Sequence, residues 1–154
     1  ILVDLPLSNL DHKGYLVWSE YADLILDLPA KNVIVLTMSC FSGGLVQYLN
    51  LSQVKPLWEN RSSEGRNFVV MTSQSESLPS GPVEVNGEII NPFTYAVRQA
   101  FSGEADGYLN KPANGKIDLN EFTSFVMDTT KNINPEKNTA DPKMTGSFDP
   151  DFEF

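Results

Sequence analysis

Only two side chains in this chain combine nucleophilic or proton-shuttling chemistry with neutral pH: a single cysteine, Cys40, and a single histidine, His12. Around the thiol the order is Val33-Ile34-Val35-Leu36-Thr37-Met38-Ser39-Cys40-Phe41-Ser42-Gly43-Gly44. The apolar run reads as a strand buried on both faces, as in a parallel sheet. The glycines let the backbone turn sharply, and Leu45-Val46-Gln47-Tyr48-Leu49 can begin a helix behind them. A thiol at the carboxyl end of a central strand, ahead of a helix amino terminus, stands where open α/β sheets place their ligands. Peptide dipoles and N–H groups there favour the thiolate, the form that attacks a carbonyl carbon. A lone cysteine at a strand end is otherwise a small buried hydrophobe, so the weight falls on its Ser-Gly-Gly sequel.

A thiolate that cleaves acyl bonds also needs a base and donors for the oxyanion. The backbone N–H of Cys40 and the turn at Gly43 and Gly44 are the donor candidates. His12 lies in Asn9-Leu10-Asp11-His12-Lys13-Gly14, a turn-rich segment where a histidine reads as a surface residue rather than a base.

Elements that would position Cys40 follow from pattern. Ile1–Leu5 reads as a strand closed by Pro6, and Tyr15–Trp18 as a second. Ser19 reads as the N-cap of a helix over 20–28, with Tyr21, Leu24, Ile25 and Leu28 on one face. Strand, helix and nucleophile strand then make a βαβ unit. Residues 53–66, polar with Pro56 and Trp58, read as loop with one helical turn. Asn67–Thr72 is the next buried strand and ends in Ser73-Gln74-Ser75-Glu76-Ser77. Val83–Ile90 alternates around Asn86-Gly87, a hairpin signal because both turn residues need positive φ. Asn91 caps a helix with Pro92 at its first position and Phe93, Ala96, Val97 and Ala100 on one face.

Asn110, Asn114, Gly115, Ile117 and Glu121 match positions one, five, six, eight and twelve of an EF-hand loop, which makes calcium a candidate ligand. Position three is Pro112, which offers no carboxylate, and position one is neutral. The alternative is a capping box in which Asp118 and Glu121 open a helix over 119–130. Residues 134–154, rich in Pro, Asn and Asp, read as an extended tail that is packed on a domain spanning 1–133 or partly loose.

Composition sets the outer bounds. With 154 residues, 41% hydrophobic and 20% charged, the chain is long enough for one domain with a core. A single cysteine excludes an internal disulfide framework. Net charge −9 argues against a nucleic-acid partner, and no apolar run approaches a membrane span. The chain opens at Ile1, already strand-like, so the expectation is a trimmed piece of a longer protein.

The segment Val33–Gly44 resembles the nucleophile strand of the caspase-like cysteine peptidases, the superfamily of caspases, metacaspases, legumains and clostripain-type proteases. Pro92-Phe93-Thr94-Tyr95-Ala96 resembles their Phe-Thr helix, and the Gly-Lys-Ile run before the last helix is similar to metacaspase-like bacterial proteins. The resemblance implies a three-layer αβα sandwich around a mainly parallel sheet, with Cys40 as the nucleophile of a Cys-His dyad and no required cofactor. It also implies a peptide or protein substrate. In caspases the histidine lies about 50 residues before the cysteine, which here falls before Ile1. The expectation is therefore an amino-terminal segment or chain carrying the histidine, in an enzyme matured by proteolysis. The alternative is an inactive relative serving as a protein-binding module. Such enzymes border the substrate pocket with the residue two before the cysteine and with the end of the next strand, here Met38, Ser73, Ser75 and Glu76. Metacaspases and clostripain-type enzymes carry aspartate where this chain has Met38, so their basic P1 preference is in doubt. Glu76 is either a replacement pocket carboxylate or a solvated loop acid.

Overall fold

A computed structural model describes residues 17–78, 81–134 and 138–153, the side chains of 61–63 excepted. The expected strand over 1–5, the first half of the strand at Tyr15, and His12 lie outside the described residues. The described chain is mixed α/β: helices around a small mixed sheet.

The first described element is a helix, α1 (Trp18–Leu26), where Val17 and Trp18 were expected in a strand. Val17, not Ser19, stands at the N-cap, and its N–H donates to the Glu20 carboxylate (3.4 Å). Trp18, Tyr21, Ala22, Ile25 and Leu26 face the core, at the i, i+3, i+4, i+7, i+8 spacing of one helix face, and Leu24 lies off that buried stripe. The strand ahead of the cysteine, β1 (Asn32–Thr37), leads through a turn into α2 (Gly43–Leu49), as expected from its sequence pattern. Expected loop at 53–66 is instead mostly helix, α3 (Lys55–Ser63). Trp58 explains it: its ring stacks on Phe68 (centroids 6.1 Å) and its N–H donates to the Leu49 carbonyl (2.9 Å), while Pro56 sits harmlessly in the first turn.

Strand β2 (Asn67–Thr72) is parallel to β1, pairing Asn32 with Asn67 through to Thr37 with Thr72. It is buried throughout, whereas in β1 only Val33 is. The cysteine strand was expected to be buried on both faces and is mostly half-buried, since among the described residues β2 takes the middle of the sheet order β1-β2-β5. The hairpin β3 (Val83–Val85) and β4 (Glu88–Ile90) forms around Asn86 and Gly87, both at positive φ. Asn91 caps α4 (Pro92–Gln99), accepting from the N–H groups of Phe93 and Thr94. Asp118 and Glu121 form the capping box of α5 (Leu119–Asn132).

The largest departure lies in the expected tail. Lys143–Ser147 is a strand, β5, antiparallel to β2 and part of the central sheet. Gly146 permits this pairing, since a Cβ there would lie 2.2 Å from the Phe68 carbonyl oxygen. Thr145 is fixed by a 2.8 Å hydrogen bond to Asn50. Among the described residues the sheet is thus mixed, one parallel and one antiparallel pairing, where a mainly parallel sheet was expected.

Alternation along β1 and β2 divides the core in two. Val33, Val35, Phe68 and Val70 pack with α1, α2 and Trp58 of α3. Ile34, Leu36, Val69 and Met71 pack with Phe93 and Ala96 of α4 and with Leu119, Phe122 and Val126 of α5.

Candidate active site

Cys40 occupies the turn between β1 and α2, three residues beyond the strand's last residue, Thr37, and two beyond the exposed Met38, and is itself exposed. The next residue, Phe41, takes a left-handed backbone (φ 59°), uncommon for a residue with a bulky side chain, and leaves its ring half exposed. Three backbone hydrogen bonds fix this turn: Phe41 N–H to the Leu78 carbonyl, Ser42 N–H to Ser39, and Gly44 N–H to Phe41. Ser73 braces it from below, its N–H donating to the Thr37 carbonyl (2.9 Å) and its hydroxyl to the Ser39 carbonyl (3.5 Å).

Gly43 and Gly44 have a packing role that pattern reading did not foresee. A Cβ on Gly43 would stand 2.6 Å from the Glu76 nitrogen and 2.7 Å from the Gln74 oxygen. On Gly44 it would stand 2.3 Å from the Trp18 indole nitrogen. The pair therefore lets α2 press against the loop that follows β2 and under the first residue of α1.

An open cleft of about 440 Å³ adjoins the turn, lined by Trp18, Phe41, Gly44, Gln47, Tyr48, Leu51 and Glu76. The candidate pocket residues separate here. Glu76 is exposed and reaches the cleft, whereas Ser73 and Ser75 are buried and work structurally. The Ser75 hydroxyl hydrogen-bonds Ser77 (3.4 Å) and also serves Asp141. Met38 faces the other way, its sulfur against the Thr94 hydroxyl at the start of α4. Trp18, Tyr48 and Leu51 are site residues that the sequence did not reveal, since they converge only because α1 packs on α2.

The calcium template does not assemble as a cation loop. Both Glu121 oxygens accept backbone N–H groups, from Gly107 (3.1 Å) and Asp118 (3.0 Å). Asn114 accepts from Lys116 N–H, and the Asn114 and Gly115 N–H groups turn toward Asp106 (2.9 and 2.8 Å). Among the described residues no group of three His, Cys, Asp or Glu side chains is arranged to hold a metal ion, and no helix is long and apolar enough to cross a membrane.

In comparisons with known proteins, the chain matches no family model, no curated protein and no solved structure.

Proposed function

We propose that the chain is the cysteine-bearing portion of a caspase-like cysteine endopeptidase. The observation that carries this reading is the exposed thiol of Cys40 at the carboxyl end of a sheet strand, with an open cleft at its shoulder. The supporting frame is a sheet with helices against both faces, which suits a caspase-like three-layer sandwich. In this reading the Cys40 thiolate adds to the scissile carbonyl carbon, and the backbone N–H groups of Cys40 and Gly43 stabilise the oxyanion, while those of Phe41, Ser42 and Gly44 donate to backbone carbonyls. A histidine from an amino-terminal segment, cut from the same precursor or preceding this chain, protonates the leaving amine. Water then hydrolyses the thioester and restores the thiol.

A second reading has its own observation: the chain's single histidine, His12, lies in a sequence, Asn9-Leu10-Asp11-His12-Lys13-Gly14, whose pattern suits a surface turn rather than a base. In that case the same fold binds peptide segments without cutting them. Peptidyl acyloxymethyl ketones, applied to the whole protein with any segment that precedes this chain, separate the two. The enzyme is labelled at Cys40, cleaves peptides, and loses both properties in Cys40→Ala. Labelling that persists in Cys40→Ala rejects the nucleophile assignment, and peptide binding with neither labelling nor cleavage identifies the module.

A further inference from the structure

The stretch that matches a calcium loop carries a cation of its own. Lys111 follows the first template position, and its ammonium donates to the Asp118 carboxylate at the ninth. Asp151 of the carboxyl-terminal segment stands 3.7 Å from the same nitrogen. Glu121, the twelfth position and buried to 4% exposure, lies close enough for its charge to act on Lys111. A buried carboxylate needs a compensating partner or strong hydrogen bonds, and here the two N–H groups and the lysine charge supply both.

Around this ammonium the carboxyl-terminal segment is seated on the start of α5. Leu119 N–H donates to the Phe152 carbonyl (2.9 Å) and Asn120 N–H to the Pro150 carbonyl (3.2 Å). Those two groups belong to the first turn of the helix, where no intrahelical acceptor exists. Asp118 and Glu153 form an isolated bridge, and Lys116 pairs with Glu153 (2.6 Å). The same segment continues from β5, so whatever holds 149–153 also holds the sheet's third strand at one end. Both lysines are held above their ordinary values by hydrogen bonds to carboxylates, Asp118 for Lys111 and Glu153 for Lys116, which keeps them cationic.

We propose that the Lys111 ammonium takes the place of a divalent cation in the 110–121 loop and latches the carboxyl-terminal segment onto α5 through Asp118 and Asp151. The loop is then a metal-independent clasp: an internal cation does what calcium does in the loops it resembles, and it does so without regulation by ion concentration. Pro112 fits this role, because the third position has no ligand to provide. The inference does not rest on the activity assigned to Cys40, and its test leaves that assignment untouched.

Amide hydrogen exchange at Leu119 and Asn120 reads the clasp directly, alongside thermal melts in calcium chloride and in EDTA. The wild-type chain is expected to give the same Tm and the same exchange in both solutions. Lys111→Met is expected to accelerate exchange at both amides by about ten-fold, the equivalent of one charge-assisted contact. Lys111→Arg, which keeps the charge, is expected to restore most of that protection. A wild-type Tm that rises with calcium overturns the proposal, as does a folded Lys111→Met with unchanged exchange at Leu119 and Asn120. Should Lys111→Met not fold, the wild-type calcium comparison still decides.

Discussion

Gly43 and Gly44 would meet different obstacles if given side chains, and the difference is measurable. At Gly43 the obstacle is backbone of residues 74–76, which cannot move without displacing the end of β2. Gly43→Ala should therefore cost roughly 1–3 kcal/mol in urea denaturation, the usual range for overpacking. At Gly44 the obstacle is the Trp18 indole, a half-buried side chain that can swing outward. Gly44→Ala should cost less, while making tryptophan fluorescence more accessible to quencher and distorting the cleft wall. Glu76 offers a second test. It brings a carboxylate to a cleft walled by Trp18, Phe41 and Tyr48, a set that suits a cationic side chain. In the peptidase reading, Glu76→Gln should lower kcat/KM on substrates with basic side chains by roughly ten-fold, one charge-assisted hydrogen bond, and leave neutral substrates unaffected. Equal rates on both substrate sets would mark Glu76 as a solvated acid. What was legible at this scale was local: an apolar run, then a thiol, then small residues, each acting on its immediate neighbours. The partition of Ser73, Ser75 and Glu76 between buried braces and cleft wall was not legible, because it depends on where α2 lands.

Helix α3 and strand β5 escaped the pattern for opposite reasons. The α3 sequence is polar nearly throughout, and one side chain, Trp58, holds it in place by stacking on Phe68 of β2 and by a single hydrogen bond to the Leu49 carbonyl at the end of α2. Trp58→Phe should thus cost about 1 kcal/mol for the lost hydrogen bond, and Trp58→Ala about 3–5 kcal/mol with the cavity included; chemical denaturation distinguishes them. β5 reads Lys-Met-Thr-Gly-Ser, with Thr145 its only β-branched residue and no aromatic one, and Thr145 is also the only one of its residues that is buried. The hairpin, the Asn91 cap and the α5 capping box were legible because short-range hydrogen bonds set them. The α5 cap also predicts a pH dependence. Burial pushes the Asp118 carboxyl up, but the Lys111 ammonium and the Glu121 and Asn120 N–H groups outweigh it, and the net displacement is below the ordinary 3.8. A carboxylate depressed in the folded state stabilises above its unfolded value and loses that contribution as pH falls through the folded one. Asp118→Ala, which also strips Lys111 of its nearest partner beside Asp151 and Glu121, should cost about 1 kcal/mol or more at neutral pH. That penalty should shrink below pH 3.8, where the wild type loses the same interaction.

For the molecule as a whole, the carboxyl-terminal segment decides whether β2 sits in the middle of a sheet or at an open edge. Residues 134–154 were expected as an extended tail packed on the domain or partly loose, and they do more than pack, adding β5 to the sheet beside β2 and Phe148 and Phe152 to the second core. The sequence pattern missed this because the pairing joins positions far apart in the chain, and no local periodicity announces a long-range partner. If the segment belongs to the fold, truncation after Pro142 removes two aromatic contacts and leaves one flank of β2 unpaired, a template for association with other chains. The truncated chain should then lose more than about 3 kcal/mol, the scale of deleting a single large core side chain, and aggregate at concentrations where the parent is monodisperse. Gly146→Ala makes the same test with one methyl group, since its Cβ would collide with the Phe68 carbonyl at the centre of the pairing. Urea denaturation and light scattering read both variants. A truncated chain that unfolds at the parent's midpoint would return β5 to the status of an appendage, and with it the clasp at Lys111 would have nothing of consequence to hold.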